Sequence, residues 1–156
     1  MRFALLPALV LTLAACSADE TVAPKHAETP AQFAMRITTL LRDGEFAAAW
    51  LDLHPEHKKF VTRTTLAECW TQTADVLNNP DVELEVVGVA DEDWEIPGTS
   101  LIRPSKAITV QAVVPAATGG DRVLEMWTQH AFDTGTDGWA WILAPALLND
   151  ARTEVC

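Results

Sequence analysis

The chain contains no tyrosine and few basic residues, 11 Lys and Arg against 22 Asp and Glu in 156 residues. The missing tyrosine removes the phenol as an oxyanion-stabilising donor. The formal net charge is −11, so the chain repels phosphate backbones and nucleic-acid binding is excluded as a main role. No basic stripe is present to hold anionic headgroups. Glycine-rich phosphate loops, Ser-His-Asp spacings and clustered metal ligands are also missing, and no cofactor is implied. The longest apolar run, Phe3 to Leu13, is interrupted by Pro7 and Thr12. It falls short of the roughly 20 residues that a membrane-spanning helix needs.

That run has a different use. Arg2 supplies a positive end, Phe3 to Leu13 an apolar core, and Ala14 and Ala15 small residues before Cys16. This is the layout of a secretory signal. Leu13-Ala14-Ala15-Cys16 resembles the lipobox of bacterial lipoproteins. The resemblance implies a diacylglyceryl group on the Cys16 sulfur and cleavage just before it. It divides the chain into a signal peptide at 1–15, a lipidated tether at 16–28 and a domain at 29–156. A plain secretory peptide with an incidental cysteine is the alternative. The lipid would place the domain outside the cytoplasm, attached to a membrane. In Gram-negative lipoproteins an Asp after the cysteine favours inner-membrane retention, so Ser17 implies the outer membrane, facing the periplasm. Elsewhere the outer face of the cell membrane is implied. Two or more acyl chains hold a soluble domain stably.

Only three cysteines are present. With Cys16 assigned to lipid, Cys69 and Cys156 remain, and an exported chain favours a disulfide between them over two free thiols. Ser17 to Glu28 is polar and reads as tether.

Thr29-Pro30-Ala31-Gln32 combines an N-cap, a proline at the first helical position and a capping box. Phe33, Ile37, Leu40 and Leu41 follow at helical spacing, and Gly44 closes the helix. A second helix starts at Glu45, carries Phe46, Ala49, Trp50 and Leu53, and stops at Pro55. Glu56 to Thr64 reads as a charged link. A third helix is expected from a capping box at Thr65 and Glu68, with Leu66, Cys69, Trp70, Thr73 and Leu77 on one side. From Asp81 the period becomes two. Strands are expected at 82–90, 105–114, 122–132 and 139–143, with turns at Gly119-Gly120 and Asp137-Gly138. Asp91 to Arg103 reads as a long acidic connection, and Pro145 onward as an extension.

Three helices followed by four hairpin-linked strands predict an α+β domain, three N-terminal helices packed on a bent four-stranded antiparallel sheet. Gly44-Glu45-Phe46-Ala47-Ala48-Ala49-Trp50 with Leu53-His54-Pro55, and later Asp137-Gly138-Trp139-Ala140-Trp141, resemble segments of small NTF2-like lipoproteins. The NTF2-like resemblance implies a cone-shaped fold with a pocket between helix and sheet, and says little about any reaction. A cystatin-like or other helix-on-sheet domain is the alternative fold.

The expected pocket residues are Trp50, Trp70, Met126, Thr128, His130 and Phe132. Tryptophans either line such a cavity or fill the core around it. Leu124, Met126, Thr128, His130 and Phe132 share one face of the third strand, opposite Trp127 and Gln129. If that face meets the cavity, His130 is a candidate base or ligand-binding group; otherwise it is a hydrogen-bonded sheet histidine. His54 and His57 flank Pro55 and could in principle join a carboxylate at zinc, with a solvated link or helix cap as the simpler reading. Asp91-Glu92-Asp93-Trp94-Glu95 lacks calcium-loop spacing and reads as solvated, with Trp94 an anchor or a lid.

These features predict a membrane-anchored envelope lipoprotein whose domain is a non-enzymatic binding or accessory module for a protein partner or a small apolar ligand. The alternative is an isomerase- or dehydratase-like enzyme using His130. Changing Cys16 to Ser is expected to move the protein from the membrane fraction to the soluble fraction after ultracentrifugation. Unchanged membrane retention would refute the lipid anchor.

Overall fold

The fold was read from a computed structural model, which describes residues 28–71, 76–116, 119–135, 138–153 and 156. The lipobox and nearly all of the tether lie outside these residues, as does Asp137.

The first helix, α1, spans Pro30–Arg42. It opens with the expected capping box: the Thr29 hydroxyl accepts from Gln32 N at 3.2 Å, and Thr29 N donates to Gln32 Oε1 at 2.9 Å. Its apolar stripe, Phe33, Ile37 and Leu41, is buried. Asp43 caps the far end and Gly44, at φ 77°, turns the chain away. α2 follows at Phe46–Leu51, then a four-residue α3 at Pro55–Lys58, then α4 at Arg63–Thr71. α3 occupies what reads as a charged link. Four residues are too few to show a helical period, and the segment is fixed by contacts of His57 that are distant in sequence. Thr62, rather than Thr65, caps α4: its hydroxyl accepts from Thr65 N at 3.1 Å.

Four antiparallel strands follow in the order β1-β2-β3-β4: β1 Glu83–Glu95, β2 Ile102–Pro115, β3 Asp121–Asp133 and β4 Trp139–Trp141. The domain is therefore α+β with an open antiparallel sheet. Asp91 to Glu95 is a strand, not a loop: Asp91 pairs with Lys106 and Glu95 with Ile102. Both faces of this stretch are largely exposed, so it lacks the apolar-polar alternation by which a strand is read. The connection shrinks to a tight turn in which Ile96 N donates to Leu101 O at 2.9 Å. Gly98 there has φ 77°, and a Cβ on it would lie 3.0 Å from Arg152 Nη1 and 3.1 Å from Leu148 Cδ2. The turn thus packs against α5, Pro145–Thr153, which replaces the expected extension. Among the described residues four helical segments precede the sheet and one follows it.

The main core lies between helices and sheet. Phe33, Ile37 and Leu41 meet Ile108, Val110, Ala131 and Trp141. Burying each large side chain contributes roughly 1.5–3 kcal/mol. A smaller cluster, Ile96, Phe132 and Ile142, forms apart from it, with Trp94 and Leu101 packed alongside. On its far side β4 is bonded by the chain after α2: Trp141 N donates to Asp52 O at 3.0 Å, and His54 N to Trp141 O at 2.8 Å.

Cys69 on α4 and Cys156 face each other with Cα atoms 4.7 Å apart, within the range a disulfide requires. Their separation is 87 residues. If the bond forms, Cys156→Ser should lower the unfolding free energy by about 2–5 kcal/mol in urea titrations. Free thiols in the oxidised, exported protein, detected by alkylation and mass measurement, would contradict the pairing.

Candidate functional site

β4 pairs only with Ala131–Asp133 of β3. The edge of β3 before Ala131 is consequently open beside the helices, and a cavity of about 250 Å³ forms there. Successive strand residues point to opposite faces. Trp127 and Gln129 nevertheless line this cavity together with Thr128 and His130, so it wraps around the strand edge. Thr38 and Leu41 of α1, Trp70 of α4 and Leu77 supply the helix side. Trp94, Pro97, Trp141 and the stretch from Ile142 to Pro145 complete it. Four of the six tryptophans in the chain are in this wall. No charged side chain lines it among the described residues.

His57 holds two parts of that wall in place. It is fully buried. Its Nε2 lies 3.1 Å from Pro97 O, and its Nδ1 accepts from Leu143 N at 3.1 Å. A carbonyl can only accept and an amide N–H can only donate. The ring is therefore the neutral tautomer with its proton on Nε2, and it ties the β1–β2 turn to the segment leaving β4. Burial pushes its pKa down to about 4, against the Pro97 hydrogen bond, which favours the proton. His54 is occupied differently. Its Nδ1 accepts from Glu56 N at 3.2 Å as the cap of α3, and its ring meets Phe132 edge-on with centroids 5.4 Å apart. Both histidines considered for zinc thus bond backbone groups, and among the described residues no group of three or more metal-ligating side chains occurs.

His130 is 6% exposed. Its ring stacks on Trp94, with centroids 4.1 Å apart and planes 17° from parallel. Trp94 reaches this position because the acidic stretch is a strand. Ser105 Oγ donates to Glu92 O at 2.9 Å and lies 3.3 Å from His130 Nδ1. With the single hydroxyl proton committed to Glu92, Nδ1 must donate to Ser105. The lone pair of His130 is therefore on Nε2, which has no hydrogen-bond partner among the described residues. Burial lowers the His130 pKa, opposed by the Glu92 charge, so the ring is neutral near pH 7. On the other face of β3, Gln129 Oε1 lies 3.4 Å from the Thr38 hydroxyl, which also donates to Ala34 O at 2.9 Å.

Of the six residues expected at a pocket, Trp70, Thr128 and His130 line this cavity. Trp50, Met126 and Phe132 lie elsewhere. Trp50 donates from Nε1 to Val61 O at 2.8 Å, and Lys58 and Arg63 sit over its ring. Met126 is 55% exposed, and Phe132 is buried in the smaller cluster. The cavity meets both faces of β3: the helices pack against the side carrying Trp127 and Ala131, and Thr128 and His130 of the other side also line it. Sequence reading missed Ser105, Gln129 and Thr38, which carry no motif. It left Trp94 as a loop residue. Comparison with protein-family models, curated proteins and solved structures finds no match.

The His57 clamp predicts acid sensitivity. Above the usual histidine value of 6.5, folded and unfolded chains are both neutral at this ring. Between 6.5 and about 4 the unfolded chain takes up the proton and the folded chain does not. Stability must therefore fall as pH drops through that window, by on the order of 3 kcal/mol for this residue. His54 and His130, also lowered by burial, act in the same direction. Urea titrations from pH 7.5 to 4 should show the loss. His57→Gln should be less stable at pH 7.5 and show a shallower slope, and an unchanged slope would contradict the buried neutral clamp.

Proposed function

We propose that this chain is a lipid-anchored protein of the bacterial cell envelope whose domain binds a small, neutral, largely apolar ligand. The observation that carries the reading is the aromatic cavity with no charged side chain among its described lining residues. Indole rings favour flat apolar molecules, and a wall without charge gives no compensation for burying an ion. The volume of about 250 Å³ lies just below the usual range for drug-sized sites, about 300–1,000 Å³, and suits a ligand of one or two rings. The lipobox at Leu13–Cys16 supports anchoring, and Ser17 supports an outer-membrane location facing the periplasm where the cell has one. The NTF2-like resemblance supports a binding pocket between helix and sheet. The element order, helices before hairpin-linked strands, agrees with it in outline.

A second reading, an isomerase- or dehydratase-like enzyme, draws on His130 in the cavity wall. It would need a second acid or base beside the substrate. His130 is the one residue with an ionisable side chain among the described lining residues, so binding is the better supported reading.

Because most of the tryptophans line the cavity, naphthalene should quench the intrinsic fluorescence of the mature protein saturably. Trp127→Ala should weaken that binding about tenfold, the loss of one aromatic contact. It should leave membrane fractionation unchanged. Absence of saturable binding would overturn the ligand-carrier reading.

A further inference from the structure

The cavity wall contains one strong acceptor whose direction of use is fixed. Ser105 spends its proton on Glu92 O and so requires His130 to donate from Nδ1. Stacking on Trp94 holds the ring plane. A half-turn of the ring would keep the stack and break the Ser105 bond, and a smaller rotation would break both. The bare Nε2 lone pair is thereby fixed in a nearly buried side chain that forms part of the wall. A ligand that seals this nitrogen from water without donating to it leaves a desolvated acceptor, at roughly 1–3 kcal/mol. A ligand that brings a donor to it avoids that cost, and a ligand of the same shape without a donor does not.

We propose that the cavity selects neutral ring compounds bearing a hydroxyl or comparable N–H group, which donates to His130 Nε2 while the ring system lies among Trp70, Trp94 and Trp127. This rests on the ligand-binding reading above and narrows it to a chemical class. Carboxylate ligands are disfavoured, because they would bury a negative charge against a neutral imidazole and four indoles. A hydroxyl on an aromatic or alicyclic ring meets both demands: it buries little polar surface and presents one well-directed proton. Ser105 is a positioning residue in this scheme, since it sets which imidazole nitrogen is bare.

The test is calorimetric titration of the mature protein at pH 7.5 with four probes: 1-naphthol, naphthalene, 1-methoxynaphthalene and 1-naphthoate. 1-Naphthol should bind about tenfold more tightly than naphthalene or 1-methoxynaphthalene, the worth of one buried hydrogen bond. The methoxy compound keeps the oxygen and loses the proton, so it separates donation from polarity. 1-Naphthoate should bind weakest. In His130→Phe, which keeps a flat ring against Trp94, the preference for naphthol should vanish while naphthalene binding persists. In Ser105→Ala, which leaves His130 in place and frees its tautomer, the preference should shrink part way. Thermal unfolding confirms that each variant is folded. Equal binding of naphthol and methoxynaphthalene to the unaltered protein would overturn the donor rule while leaving the cavity-binding reading intact. So would a preference that survives His130→Phe. Failure of every probe to bind would overturn both.

Discussion

One buried imidazole determines the geometry around it. His57 donates to a carbonyl on one side and accepts from an amide N–H on the other, and these come from segments that otherwise meet through the small cluster of Ile96 and Ile142. Pro97 belongs to the β1–β2 turn and Leu143 to the chain leaving β4. Each backbone group would be costly to bury alone. The ring satisfies both and stays neutral to do so. α3, with four residues and little propensity of its own, is best understood as the platform that presents this ring. The turn at Gly98 can then rest on α5, and the space between those elements and the helices is left as the cavity.

The second organising fact is the brevity of β4. Three residues pair with β3, after which the chain is pulled away toward His57 and α5. A longer β4 would have covered the β3 edge and closed the space. The open edge explains why neighbouring residues of one strand, Gln129 and His130, both reach the same cavity. Trp94, at the far end of β1, reaches His130 from the opposite side, across β2. Pocket and strand edge are one feature, produced by a strand that ends early.

Much of the architecture is legible in the residues. The α1 boundaries follow from Thr29, Pro30, Gln32 and Gly44, each of which acts locally. The hairpin sequence follows from alternation in Val82 to Val86 and Ile108 to Val114. What escapes is what depends on partners far away. α3 has no period to read. Asp91 to Glu95 pairs on β2 but buries neither face well, so composition suggests a loop where hydrogen bonding makes a strand. At the site, alternation correctly separates Met126, Thr128 and His130 from Trp127 and Gln129. It cannot say which set meets the helices, nor that the strand edge is open to both. Trp70, Thr128 and His130 reach the cavity, while Met126, on the same face of β3 as the latter two, is exposed. Ser105 has no signal of its own; its role exists only once Glu92 and His130 are beside it.

The acidic half of β1 has a consequence beyond this molecule's own sheet. An open antiparallel sheet ends in rows of backbone donors and acceptors that invite a second sheet to join. Along β1, Asp91, Glu92, Asp93 and Glu95 are all exposed, with Asp91 paired to Lys106 and the rest facing water. Two such borders brought together would set like charges side by side over several residues. If the chain is held by lipid, copies share a plane and meet far more often than they would in free solution. A border of one sign then acts as a spacer between neighbours.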